Sequence, residues 1–279
     1  MKELSIRETQ KISLEILHIV ANICETQNYR YCLMYGTLIG AVRHKGYIPW
    51  DDDVDIMMPR EDYEKFLKYF KNNIQKYPHL KIFNPDECKA YPYMITRISD
   101  ERYQIDMANE KPYGMGVFID IYPFDGMGMS YEEAFSYGRK GDRLSSFCYQ
   151  ATRRHLAVET TTSFVRKLIK PFVFVVCRMV GKNFFQNNLK KLVGRYDYDK
   201  SKYVGCVVWA SHVEKDIYQK SWFDETKLAP FEQYEFRIPV KYDKILKQTY
   251  GDYMKLPPEK DRIGHHYYKV YKKYDARIN

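Results

Sequence analysis

Four aspartates, Asp51, Asp52, Asp53 and Asp55, fall within five positions directly before the apolar run Ile56-Met57-Met58. A solvated acidic face would not lead into apolar residues, and a buried strand does not accept unpaired carboxylates. Taking a charge out of water costs several kcal/mol or more unless it is paired or bound to metal. Residues two apart on a strand share a face, so the pattern predicts Asp53 and Asp55 side by side, with Val54 and Ile56 turned into the core. Asp51 shares that parity and is a candidate to reach a metal or an acceptor group. Asp52 points away, toward a structural or capping role. Two carboxylates on a rigid edge suit Mg²⁺, with Mn²⁺ as an alternative, because Mg²⁺ takes one or two protein carboxylates and completes its shell with waters and phosphates. The competing reading is a Ca²⁺-binding or turn-forming acidic loop.

Metal ions that stabilise both the attacking and the leaving oxygen of a phosphoryl transfer call for a further carboxylate. Asp120 is the only charge between Val117 and Phe124, on a stretch that reads as a strand buried on both faces. Asp53, Asp55 and Asp120 are therefore the candidate metal ligands; a capping or salt-bridged Asp120 is the alternative. Asp125, just before Gly126, reads as a turn residue.

Phosphates need cations and free N–H groups. Gly36-Thr37 reads as a turn opening a brief helix, Leu38 to Arg43, whose N-terminus suits phosphate. Arg43, His44 and Lys45 follow that helix, and Arg60 follows the aspartate strand. Arg favours bidentate phosphate contacts. Trp50 and Tyr47 flank the first aspartate; each could stack on a base, enclose a quaternary ammonium group, or simply support the loop.

The elements that must position these groups follow from periodicity. Ser5 to Glu8 reads as a capping box, followed by Ile12, Ile16, Ile19, Val20 and Ile23 at helical spacing. That amphipathic start lacks the apolar core of a secretion signal, which predicts a cytoplasmic protein. A short strand is expected at Tyr31–Tyr35, and a helix opening at Pro59 with Tyr63, Phe66, Leu67 and Phe70 as its apolar stripe. Further strands are expected at Leu80–Phe83, Tyr91–Ser99 and Val117–Tyr122, and a helix at Lys241–Tyr250 stopped by Gly251. Ser130 to Gln219 reads as helical and basic. Within it, Ser163–Phe185 is too short in apolar run to span a bilayer; it is either a core helix kinked at Pro171 or an interfacial segment.

Composition narrows the partners. Hydrophobic residues make up 45% and charged residues 29% of the 279, as in soluble globular proteins. Six scattered cysteines show no zinc spacing and read as reduced thiols. The formal net charge of +9 predicts an anionic partner. No RNA-recognition or helix-turn-helix signature is present, so nucleic acid is not expected.

The string GTLIGAVRHKGYIPWDDDVDI, Gly36 to Ile56, resembles the LicD family of phosphocholine transferases, which includes fukutin-related ribitol-phosphate transferases. That family lies within the nucleotidyltransferase superfamily of DNA polymerase β. Thr37 where the superfamily usually has Ser, and the long insert before Asp53, are both typical of LicD proteins. Nothing matches the zinc-binding insert of the animal members. YGDYMKLPPEKDRIGHH, Tyr250 to His266, is similar to the family as well, which makes Arg262, His265 and His266 candidates for the acceptor or diphosphate side, His266 as a general base. Arg97 stands where family members usually carry Lys or Arg.

The resemblance implies an α/β (α+β) fold of DNA polymerase β type, a mixed sheet flanked by helices. It implies a single domain over residues 1–279, with a core at about 28–125 and 231–270 and a helical accessory insert at about 126–230. The implied reaction moves phosphocholine from CDP-choline, or a related CDP donor, to a sugar hydroxyl of a lipid-linked cell-surface glycan precursor of teichoic acid or lipopolysaccharide type. CMP leaves, at the inner face of the membrane. The implied catalytic set is Asp51, Asp53, Asp55, Asp120 and His266, with Gly36, Thr37, Arg43, Trp50, Arg60, Arg97, Arg262 and His265 binding the donor. A nucleotidyltransferase moving NMP to a sugar, an antibiotic or RNA, and a non-catalytic basic nucleic-acid or membrane-binding protein, are the alternatives.

Overall fold

The computed structural model describes residues 2–107, 109–110, 112–156, 164–209, 212–262 and 268–273. Helix α1 (Ile6–Gln27) opens on the expected capping box: the Ser5 hydroxyl accepts from the Glu8 N–H and the Glu8 carboxylate accepts from the Ser5 N–H. Its buried stripe includes Leu14, Leu17, Val20, Ala21 and Cys24, and it ends at Asn28 in the left-handed conformation. Strand β1 (Cys32–Leu33) is only two residues long, shorter than expected.

The brief helix begins earlier than its sequence suggested. Helix α2 (Tyr35–Ile39) starts at Tyr35 and runs into a π turn at Gly40–His44, so Gly36 and Thr37 lie inside the helix rather than in a turn before it. Strand β2 (Asp55–Pro59) begins only at Asp55; Asp51 to Val54 form a loop, and strand parity is not what brings Asp51 and Asp53 to Asp55. Helix α3 (Arg60–Asn72) follows with Pro59 as its N-cap.

Strands β3 (Leu80–Phe83), β4 (Thr96–Asp100), β5 (Tyr103–Met107) and β6 (Val117–Gly126) come next. Every residue of β6 is buried, as its near-continuous apolar pattern requires. Asp125 is therefore not a turn residue: it lies inside β6 and is fully buried. Three helices follow, α4 (Tyr131–Thr152), α5 (Phe164–Val180) and α6 (Lys182–Leu192), with α4 packed against the other two. The stretch expected to be helical then supplies two short strands, β7 (Tyr203–Gly205) and β8 (Tyr218–Gln219). A hairpin of β9 (Thr226–Phe231) and β10 (Tyr234–Pro239), helix α7 (Tyr242–Tyr250) and strand β11 (Tyr268–Lys272) complete the described chain.

The main sheet is mixed and seven-stranded, ordered β1-β2-β6-β4-β3, with β7 on the far end of β6 and β8 on β7. The β2–β6 pair is parallel and the other pairs are antiparallel. Helix α1 packs against β4 and β6, and α3 against β2 and β6. The long central strand β6 thus carries the register of the whole site.

Helix α5 runs through Pro171, and it is not a core helix. Phe172 is 72% exposed and Met179 82% exposed, and Leu168, Ile169 and Val175 are also open to solvent. Among its described side chains, Cys177 is buried against Cys148 and Phe185, with Val173 partly buried beside them. Among the described residues, no helix is long and apolar enough to cross a membrane. All six cysteines are unpaired thiols.

Candidate active site

The aspartate loop is held from α1. Buried Gln10 donates from its side-chain amide to Asp51 O over 2.7 Å and to Ile48 O over 3.4 Å. Tyr47 is buried, hydrogen-bonded to Ser13 over 2.8 Å and set edge-on to Phe231; it supports the loop. Helix α2 meets the loop closely. A Cβ on Gly36 would lie 2.7 Å from Asp51 Oδ2, so glycine lets the carboxylate rest on the helix. Thr37 is buried, and its hydroxyl accepts the Asp55 N–H over 2.8 Å. It fixes the start of β2 rather than facing a phosphate.

These contacts border a cavity of about 540 Å³, lined by Gly36, Arg43, Trp50, Asp51, Asp53 and Asp55 on one side. The turn after α7, including Tyr253 and Lys255, forms the other side. Arg43 donates to Tyr253 O over 2.6 Å, and burial lowers its guanidinium pKa from the usual value. Among the described residues no carboxylate pairs with it. Trp50 sits beside it, with the Arg262 guanidinium 5.7 Å over its ring. Arg262 also donates to Pro257 O over 2.9 Å. His265 and His266 lie outside the described residues.

Across the sheet the charges form a row. Asp55 in β2 stands opposite Asp120 in β6, and Asp120 stands opposite Arg97 in β4. Arg97 Nε donates to Asp120 Oδ1 over 2.6 Å, and its guanidinium lies 4.1 Å over the Phe118 ring and 4.8 Å over Tyr93. Asp120 is thus salt-bridged, and Arg97 is its partner rather than a ligand for donor phosphate. Arg60 is likewise engaged: it holds both oxygens of Asp125, at 2.8 and 2.7 Å. That bidentate pair ties α3 to β6 and takes Arg60 out of the cradle.

Asp55 is the strained member of the row. Burial raises its carboxyl pKa well above the usual range, and the charges of Asp53, Asp120 and Asp51 push it the same way. Its Oδ1 is buried without a hydrogen-bond partner among the described residues. A buried orphan acceptor of this kind calls for an explanation such as an unseen ion. Among the described residues, no three His, Cys, Asp or Glu side chains already converge as a ready-made metal site.

Sequence reasoning did not single out Tyr35, whose φ of +50° is unusual for a bulky residue. Nor did it find Tyr122, Trp209, Asp216 and Tyr250, which meet Tyr35 and Asp55 around a second cavity. Trp209 and Asp216 lie in a stretch without a motif, so only chain folding reveals them.

The model of the LicD/FKTN/FKRP nucleotidyltransferase domain matches residues 28–156, which contain the whole charge row. End to end, the chain is similar to the lipopolysaccharide cholinephosphotransferase LicD of Haemophilus influenzae: 32% identical over 276 residues, covering 97% of this chain and 99% of that protein. The chain belongs to the LicD family. An uncharacterised protein of Rickettsia typhi is 36% identical over 147 residues, 46% of this chain and 47% of that one. In this LicD protein, the family-matched region supplies the aspartates, Arg43 and Trp50, while the opposite wall of the cavity comes from the turn after α7, beyond that match.

Proposed function

We propose that the protein moves phosphocholine from CDP-choline to a sugar hydroxyl of a cell-surface glycan precursor, of lipopolysaccharide or teichoic acid type, and releases CMP. The end-to-end similarity to the Haemophilus cholinephosphotransferase carries this reading. The carboxylate cavity with an unpaired cation, Arg43, supports it. We further infer a DNA polymerase β-like arrangement, in which two adjacent interior strands of a mixed sheet offer acidic groups to a nucleotide.

A divalent cation fits the residues present. Asp55 Oδ1 lacks a partner among the described residues, and Asp53 lines the same cavity. Asp120 stands directly opposite Asp55 on the neighbouring strand. Mg²⁺ or Mn²⁺ held by Asp53, Asp55 and Asp120 would supply charge neutralisation of the diphosphate. The chain's own groups do the rest. Arg43 binds the donor's phosphates and Trp50 flanks the nucleotide. The acceptor oxygen bonds to the phosphorus bearing choline as the bond from that phosphorus to the bridging oxygen breaks, and the bridging oxygen leaves with CMP. Asp51, resting against Gly36, takes the acceptor's proton. Phosphoryl transfer asks mainly for such positioning and charge stabilisation.

The test is to incubate the protein with CDP-choline, CTP or ATP, with a glycan acceptor and Mg²⁺, and follow products by phosphorus NMR. CMP from CDP-choline alone is expected, and it should disappear in Asp53→Asn and Asp55→Asn. Pyrophosphate release from CTP or ATP would identify a nucleotidyltransferase that moves NMP instead.

A further inference from the structure

Beyond Asp55 the site has a second chamber. Tyr35, Asp55 and Tyr250 line both it and the donor cavity, so the two spaces meet over the aspartate row. The second chamber measures about 300 Å³, at the small end of ligand pockets. Four aromatic side chains, Tyr35, Tyr122, Trp209 and Tyr250, share it with one carboxyl group of the accessory region, Asp216. Tyr35 and Tyr122 stand edge to face at 5.0 Å.

Two residues of this wall are held at a cost. Tyr35 holds its positive φ, and its buried hydroxyl finds no partner among the described residues. Asp216 is 7% exposed. Burial pushes its carboxyl up to about 6, against the Tyr218 hydroxyl, the His212 N–H and charge, and Lys215, which favour ionisation. Thr249 completes the lining with His212 and Lys215, which are both exposed to water.

We propose that this chamber is the subsite for the quaternary ammonium head of the transferred group, with the aromatic faces as its walls and Asp216 as its counter-charge. A trimethylammonium group cannot donate hydrogen bonds from nitrogen, so aromatic faces and a nearby carboxylate are what recognise it. The shared wall at Asp55 then sets the phosphorus between head group and nucleotide. The inference rests on the reading of the donor as a choline conjugate and assigns residues that choose it. A primary ammonium group, which does donate, depends less on the rings and more on the carboxylate.

The experiment compares kcat/KM for CDP-choline and CDP-ethanolamine in the wild type, Trp209→Leu, Trp209→Phe and Asp216→Asn, with inhibition by CMP as the check on the nucleotide side. Trp209→Leu should cut the preference for CDP-choline by roughly tenfold, the worth of one desolvated cation–π contact, and Trp209→Phe should restore most of it. Asp216→Asn should weaken both donors. An unchanged preference in Trp209→Leu with normal CMP inhibition would overturn the assignment. If the wild type uses no CDP donor, the functional reading fails, and direct titration still decides on the chamber. Choline should bind and its neutral carbon isostere 3,3-dimethylbutanol should not, with binding lost in Trp209→Leu. Equal binding of the two, binding of neither, or displacement by a neutral sugar alone would overturn it.

Discussion

Arg97 and Asp120 face each other across β4 and β6 as a buried ion pair, Nε to Oδ1 at 2.6 Å, with side chains 7% and 4% exposed. The pair explains how a central, wholly buried strand tolerates a carboxylate beside Asp55. Breaking such a pair from one side costs about 3–5 kcal/mol, whereas replacing both members with apolar groups is often neutral. Asp120→Asn should therefore lower stability as well as activity, read as a reduced urea midpoint. Arg97→Met/Asp120→Leu should recover most of the stability and none of the activity. A full urea midpoint in Asp120→Asn would contradict the pairing.

Arg43 and Arg60 were equal candidates by sequence and should now separate. Arg43→Ala should weaken use of the CDP donor by about 1–3 kcal/mol, the scale of a charge-assisted hydrogen bond, with little change in unfolding. Arg60→Ala removes the counter-charge of Asp125, which is fully buried, and should cost stability while leaving the donor KM unchanged. Steady-state kinetics beside denaturant titration distinguish the two, and a KM effect confined to Arg60→Ala would return it to the cradle.

Gly36→Ala tests the contact between α2 and the aspartate loop. The new methyl would meet Asp51 Oδ2 at 2.7 Å, and the end of a side chain moves more cheaply than backbone. The fold should survive while Asp51 turns aside, with a loss of turnover of up to about a hundredfold, as misplacement of a reacting group by an ångström can produce. Circular dichroism and kcat together check this; normal turnover would remove Asp51 from the chemistry.

Helix α5 presents Leu168, Ile169, Phe172, Val175 and Met179 to solvent, with Lys170 and Arg178 on the same helix and a formal net charge of +9 over the chain. Anionic lipid complements that face, and each basic residue near such a surface is worth about 1 kcal/mol. The protein should sediment with anionic vesicles at low salt and be released by added salt. Phe172→Ser/Met179→Ser should weaken the attachment. Protein left in the supernatant at low salt would exclude docking through α5.

Local patterns in the chain were enough for the chemistry-bearing segments. The capping box at Ser5, the apolar run that makes β6 a buried strand and the acid-rich stretch before β2 are short-range signals, legible because backbone propensity and burial act on neighbouring residues. They marked as candidates Asp51, Asp53 and Asp55, which line one cavity, and Asp120, which stands opposite Asp55, and the string from Gly36 to Ile56 carried the family. Charge pairing was not legible, because it depends on strand order and register. Asp120 could be read as needing a positive neighbour, but that Arg97 pairs with it follows only from β4 lying beside β6 with residue 97 opposite residue 120. Arg60 looked like a phosphate ligand until α3 and β6 placed it against Asp125. The chamber of Tyr35, Tyr122, Trp209, Asp216 and Tyr250 spans more than two hundred residues of chain, so no spacing rule could assemble it. Desolvation acts on whatever the packed fold brings together, and for these groups only the tertiary structure decided what that was.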